Sequence, residues 1–89
     1  YSLEQNYPNP FNPISKIKYQ ILNIHLKNQK VKLSVYNVQG KEITVLVNKE
    51  QEAGYYEVEF DGTNYPSGVY FYKLTAGDFT DVKKMILLK

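Results

Sequence analysis

The stretch YYEVEFDGTNYPSGVYFYKLTAG, residues 55–77, predicts two strands joined by a turn. In its first part apolar side chains alternate with two glutamates, which is typical of a strand with one buried face. The positions expected to be buried are Tyr56, Val58 and Phe60. Residues 61–68 contain Asp-Gly, Asn, Pro and Ser-Gly, which are favoured in turns. The aromatic and aliphatic run over residues 69–77 predicts a central strand that is buried on both faces.

Alternating patterns on both sides of this stretch predict further strands. Residues 15–22 and 30–38 each place three apolar side chains on one face, as in a half-buried antiparallel strand. These side chains are Ile17, Tyr19 and Ile21 in the first strand and Val31, Leu33 and Val35 in the second. Residues 79–89 predict the last strand of the chain.

Polar segments rich in Asn and Gly connect the predicted strands. We expect a connection over residues 23–30, a polar loop over 48–54 and a turn at 77–79. A further turn over residues 37–42 is expected to hold Gly40 at positive φ, as in a hairpin with a bulge.

The segment EITVLV, residues 42–47, fits two patterns. A strand would place Ile43, Val45 and Val47 on one face, whereas a helix would align Ile43, Leu46, Val47 and Glu50. The β-branched residues and the preceding turn favour the strand.

The stretch NYPNPFNP, residues 6–13, is predicted to be the first strand, at the edge of a sheet. Proline cannot donate to a sheet ladder, and edge strands tolerate it. Tyr7 and Phe11 would then cover the end of the core. The chain is thus expected to be all-β, an immunoglobulin-like antiparallel β-sandwich of about seven strands. We expect residues 1–89 to form a single domain cut from a longer protein, since no initiator Met or signal peptide is present.

Composition argues against several functional classes. A net charge of +2 is too weak a bias for nucleic-acid binding. The absence of Cys rules out thiolate zinc sites and Cys nucleophiles, and the single histidine, His25, does not predict a metal site. No nucleophile–base set stands out, so we predict neither an enzyme nor a cofactor.

Two local motifs leave alternatives open. The stretch DGTN, residues 61–64, offers calcium-type oxygens but lacks the full loop pattern, so we predict a turn in which Asp61 accepts backbone hydrogen bonds. Tyr55, Tyr56 and Tyr65 suggest carbohydrate binding, although alternation turns Tyr56 inward and Tyr55 outward.

Three stretches together resemble a known family. They are NYPNPFNP at residues 6–13, VYNVQGKEITVLVNKEQEAGYYEVEFDGTNYPSGVYFYKL at 35–74, and KKMILLK at 83–89. In this order they resemble the type A C-terminal sorting domain of the type IX secretion system, and they are also similar to the immunoglobulin-like domain of flagellar hook-capping proteins. Many relatives have Arg where Lys41 stands and Trp where Phe60 stands, and both differences are conservative.

The resemblance implies a sorting role without catalysis. Such a domain follows an upstream cargo domain and is recognised at the outer-membrane translocon after the protein has crossed the periplasm, and a sortase usually cleaves near its N-terminal border. The parent protein is then secreted or held at the cell surface. A structural spacer, or an accessory module that binds a carbohydrate or another ligand, is the alternative function, and we expect a monomer.

The family carries its signal in the last strands, so the resemblance also implies which residues are recognised here. They are Gly68, Val69, Tyr70, Lys83, Lys84, Leu87, Leu88 and Lys89. An exposed terminal strand can add to a partner's sheet, with the lysines giving orientation. For Tyr70 we expect instead a core position, with its hydroxyl bonded to a backbone carbonyl as in a tyrosine corner.

Overall fold

Two antiparallel sheets pack face to face in the computed structural model, which describes residues 1–22 and 29–89. The described residues form seven strands: β1 (Ser2–Leu3), β2 (Ile14–Ile21), β3 (Gln29–Tyr36), β4 (Glu42–Gln51), β5 (Gly54–Asp61), β6 (Gly68–Ala76) and β7 (Phe79–Leu87). One sheet has the order β1-β2-β5 and the other has the order β4-β3-β6-β7. This arrangement confirms the predicted all-β immunoglobulin-like sandwich. Within the described ranges no helix has the length and apolar character needed to cross a membrane.

The core lies between the sheets and is filled by alternate residues of the strands. Members of both sheets are fully buried, including Ile17, Tyr19, Ile21, Val31, Leu33, Val35, Phe60, Tyr72 and Leu74. Phe60 has the Phe11 ring edge-on at 5.9 Å and the Tyr65 ring stacked at 5.7 Å. The predicted inward faces of β2, β3 and β5 are therefore confirmed, and aromatic pairs fill one part of the interior.

The proline-rich segment, residues 6–13, is not a strand. The prediction of an edge strand there was wrong, and β1 instead precedes it at Ser2–Leu3. The segment makes only isolated bridges, Tyr7 with Lys16 and Phe11 with Leu87, because its prolines supply no N–H groups for a ladder. Phe11 is buried as predicted, whereas the Tyr7 side chain is 79% exposed and does not cover the core.

The segment EITVLV, residues 42–47, lies in β4 and is therefore a strand, as the sequence favoured. The helical alternative is wrong. The pairing of β3 with β4 shifts register twice, between Leu33 and Ser34 and between Val35 and Tyr36. These irregularities insert extra residues into β4, so Val45 is 40% exposed and does not share the buried face of Val47.

Two predicted connections are shorter than expected. β4 continues to Gln51, so the polar loop predicted over residues 48–54 contains only residues 52 and 53. Gln51 is buried, and its Oε1 accepts a hydrogen bond of 2.8 Å from the Tyr19 hydroxyl. Of the connection predicted over residues 23–30, residues 29 and 30 belong to β3, and the rest, with His25, lies outside the described residues.

β6 is central in its sheet, as predicted, but it is not buried on both faces. Tyr70, Tyr72, Leu74 and Ala76 are buried, and the residues between them are only half-buried. The outer face of β6 is therefore accessible, although it includes Phe71.

The predicted turns have the expected local chemistry. Gly40 has φ of 80°, and the Asn37 side chain accepts hydrogen bonds from the N–H groups of Gln39 and Lys41. Asp61 accepts a 2.9 Å bond from the Thr63 N–H, as predicted for a turn.

A buried hydroxyl ties the N-terminal segment, residues 4–13, to β6. The Tyr72 hydroxyl donates to the carbonyl of Glu4 at 2.7 Å and accepts from the N–H of Asn6 at 2.7 Å. The Asn6 side chain is itself buried and donates to the Ser15 hydroxyl at 2.8 Å and the Pro8 carbonyl at 3.1 Å. These bonds give an irregular, proline-rich segment a defined position on the sandwich.

We expect Tyr72→Phe to lower the free energy of unfolding by about 1–3 kcal/mol, since it leaves the buried Asn6 N–H and the partly buried Glu4 carbonyl without their partner. Urea unfolding measures the change. Tyr36→Phe is the matched control, because its exposed hydroxyl makes only a 3.4 Å contact with Glu42, and it should change stability by less than about 0.5 kcal/mol. Equal stability of the two variants would contradict this role of the Tyr72 hydroxyl.

Alkaline pH should destabilise the fold through the same hydroxyl. Burial raises the pKa of Tyr72 from 10.0 to about 12, and the Asn6 N–H offsets this only in part. Because the folded-state pKa lies above the unfolded value, the stabilisation is complete below pH 10 and is lost as pH rises toward 12, by roughly 1.4 kcal/mol per unit. Urea unfolding from about pH 9 to 11.5 should show a steeper loss in the wild type than in Tyr72→Phe, and parallel curves would contradict it.

Phe60→Ala should destabilise the fold by about 3–5 kcal/mol, because it leaves a cavity between Phe11, Tyr65 and Tyr70. Thermal melting measures the effect. Tyr55→Ala, on the same strand and 81% exposed, should melt within about 0.5 kcal/mol of wild type. Wild-type melting of Phe60→Ala would mean that the ring does not fill the core.

Candidate recognition surface

The pairing of β6 with β7 separates the predicted recognition residues into different environments. Residues paired across the two strands share a face, and the pairs include Val69 with Ile86 and Gly68 with Leu87. Tyr70 and Leu87 are buried in the core, whereas Val69 and Lys84 lie on the opposite, outer face. The structure therefore does not bring the predicted set together as one surface.

Three of these predicted recognition residues have structural roles within the domain. The Tyr70 hydroxyl donates to the Pro66 carbonyl at 2.6 Å, as predicted for a tyrosine corner, and burial raises the pKa of Tyr70. The Leu87 side chain packs against Gly62, where an added Cβ would lie 2.8 Å from Leu87 Cδ2. Gly68 has φ of 154°, in a region that side-chain-bearing residues rarely adopt.

The remaining predicted residues lie at the strand edge and the chain end. The Lys83 ammonium is 4.0 Å from the Asp81 carboxylate. The Lys89 N–H donates to the Ser67 hydroxyl at 3.0 Å, so the last residue is tied to the turn before β6. Leu88 follows β7 and is about half exposed.

The edge of β7 is covered by the N-terminal segment. The Gln5 side chain donates to the Lys84 carbonyl at 2.6 Å, and the Ile86 N–H donates to Asn9 Oδ1 at 2.9 Å. Phe11 pairs its N–H with the Ile86 carbonyl at 3.0 Å and its carbonyl with the Leu88 N–H at 2.9 Å. A partner strand can therefore add to residues 84–88 only if it displaces this segment.

The outer face of β3, β6 and β7 is apolar and accessible. Its side chains follow from the register, in which Tyr36 pairs with Phe71 and Val69 with Ile86. At one end Tyr36, Val38, Phe71 and Val82 line a shallow cavity of about 310 Å³ together with Asn37, Gly40 and Lys73. Val38 is 68% and Val82 is 50% exposed, so this face leaves a contiguous apolar area in water.

Lysines give the same face a positive character. The Lys73 ammonium lies 5.2 Å from the centroid of the Tyr36 ring. Lys32 pairs with Glu42 at 3.1 Å, and this pairing holds the pKa of Glu42 below its usual value. No carboxylate in the described part of the chain lies within ion-pair distance of Lys73 or Lys84.

Sequence reasoning missed Phe71, Val82 and Ile86 as surface residues. Phe71 lies in a strand that was predicted to be buried on both faces, and the other two lie in residues 79–89, for which a strand was predicted without assigning its faces. The alternation was visible in the sequence. The face that Val82 and Ile86 share with Phe71 became evident only from the β6–β7 register.

The other candidate motifs have plain local roles or remain open. Hydrogen bonds from Thr63 lower the pKa of Asp61, which fits a turn. Among residues 1–22 and 29–89 no three His, Asp or Glu side chains converge as a metal site. Tyr65 packs on Phe60 and is not an exposed platform, whereas Tyr55 is 81% exposed.

Comparison with known proteins gives one family. The family model for the secretion system C-terminal sorting domain matches residues 5–88, which span the proline-rich segment and β2 to β7. No curated protein matches the chain.

Proposed function

The chain belongs to the family of secretion system C-terminal sorting domains, and from this premise we propose how it directs its parent protein through the type IX secretion system. The domain acts as a non-catalytic module behind a covalently linked cargo. It is bound by the outer-membrane translocon, a sortase then cleaves near its N-terminal side, and the cargo is released or anchored at the cell surface.

The observation that carries the proposal is the apolar and positively charged outer face of β3, β6 and β7. A contiguous apolar area of this kind is typical of protein–protein interaction sites. The face includes Val69 and Lys84, which the family resemblance had singled out, and it adds Phe71 and Val82. We assign to the translocon a complementary surface that presents apolar side chains and carboxylates to these residues.

Recognition of a face, rather than an edge, fits the hydrogen bonding of β7. Its residues 84–88 are already paired with the N-terminal segment, so strand addition there has a competitor within the chain. Gly68, Tyr70 and Leu87 then contribute indirectly by holding the strands in place. The covered edge also disfavours pairing between two copies of the chain through β7.

An export assay tests the proposal. A fluorescent reporter with an N-terminal signal peptide is fused ahead of residues 1–89 and expressed in a bacterium with a working type IX system. We expect surface or medium fluorescence that is lost in a translocon mutant. The double variant Val82→Asp with Lys84→Glu should lower export about tenfold or more, because it puts negative charge on the proposed face.

The control is Lys18→Glu, which makes the same charge change as Lys84→Glu alone, on an exposed side chain of the other sheet. It should be exported like wild type, and all variants should melt alike. Removal of residues 83–89 is less informative because it deletes the buried Met85 and Leu87. Periplasmic retention of the wild-type fusion would contradict the sorting function. Normal export of the folded double variant would contradict only the assignment of this face as the recognition surface, and would leave the sorting function standing.

A further inference from the structure

A groove crosses the outer face of the three-stranded sheet, on the side of the sandwich away from the proposed recognition face. Two adjoining cavities of about 410 and 290 Å³ form it, and both are lined by Glu4, Lys18 and Glu57. Tyr55 lines the first cavity and Tyr7 lines the second. We name this feature the tyrosine groove.

Both tyrosine side chains are largely in solvent, Tyr7 by 79% and Tyr55 by 81%. Their backbones are nevertheless held in place. Tyr7 exchanges two backbone hydrogen bonds with Lys16, at 2.9 and 2.8 Å, and Tyr55 pairs with Gln20 in the β2–β5 ladder. With two strand spacings of about 4.8 Å and four residues at a rise of about 3.4 Å, the two positions lie roughly 17 Å apart. Two aromatic rings are thus presented on a rigid sheet at a defined separation.

The polar groups between the rings are balanced in charge. Lys16 and Lys18 supply two ammonium groups, and Glu4 and Glu57 supply two carboxylates. One contact between them, from Lys16 to Glu57, is long at 3.9 Å and exposed, so both groups keep capacity for other hydrogen bonds. A polyanion would be repelled by the carboxylates and a polycation by the lysines. The arrangement suits a neutral ligand that both donates and accepts hydrogen bonds.

We propose that the tyrosine groove binds a neutral oligosaccharide. The amphipathic rings of Tyr7 and Tyr55 stack on the C–H faces of sugar rings near the two ends. The sugar hydroxyls donate to Glu4 and Glu57 and accept from the lysines between. The distance between Tyr7 and Tyr55 accommodates several sugar rings. A concave site with a few convergent polar groups is the usual form of a ligand site. The groove lies on the sheet opposite the proposed recognition face, so glycan binding does not depend on the export proposal.

Affinity electrophoresis of the 89-residue chain tests the inference. Native gels contain mannan, dextran or mixed-linkage β-glucan as neutral probes, and dextran sulfate as an anionic probe. We expect at least one neutral polysaccharide to retard the chain. Tyr7→Ala and Tyr55→Ala should each weaken that binding about tenfold while leaving the melting temperature unchanged, because each removes one exposed stacking ring.

Tyr36→Ala is the matched control, since it removes a tyrosine from the opposite sheet and should be retarded like wild type. The proposal is overturned if no neutral polysaccharide retards the chain. It is also overturned if dextran sulfate alone does so, because binding would then follow charge. Full retention of binding by both groove variants would likewise place the ligand elsewhere.

Discussion

The buried hydroxyl of Tyr72 is the interaction on which the arrangement of the N-terminal segment depends. It accepts from Asn6 and donates to Glu4, and so ties a segment that cannot form a ladder to a central strand of the opposite sheet. Once held there, the segment lies along β7, with Asn9 and Phe11 paired to its backbone. The Tyr72 hydroxyl thus acts together with the bonds of Asn9 and Phe11, and the position they give the proline-rich stretch leaves the last strand without a free edge.

The sandwich gives its two outer faces different chemistry. Alternation along β6 and β7 sends tyrosines and aliphatic side chains inward, and leaves a second apolar set, with Lys73 and Lys84, on the outside of the same strands. The outer face of β2 and β5 instead mixes lysines and glutamates around Tyr55. The proposed protein partner and the proposed neutral oligosaccharide would therefore bind on opposite sides, with the core between them closed.

The local alternation of apolar and polar residues predicted most of the strands, because each strand has an apolar face that is buried between the two sheets. Ile17, Tyr19 and Ile21 are examples, and all three lie in the core. Where the prediction failed, contacts between residues distant in the sequence determined the structure, and the local sequence pattern did not. The polar residues 48–51 continue β4 because they pair with β3 and because Gln51 bonds Tyr19. Tyr7 is exposed although it is aromatic, because the buried residues Asn6 and Phe11 fix the position of the proline-rich segment and the Tyr7 ring takes no part in this.

The sequence by itself determined the fold class, the turns and the family, because side-chain periodicity, turn chemistry and ordered motifs are properties of neighbouring residues. Only the tertiary structure decided which of the predicted recognition residues share a surface. That depends on the register between β6 and β7, which placed Val69 and Lys84 outside and Tyr70 and Leu87 inside. The tertiary structure also decided that the edge of β7 is covered. One of the bonds that cover it joins Ile86 and Asn9, which are 77 positions apart in the sequence. Pairing over such a distance leaves no local periodic trace, because it is selected by how the whole chain packs.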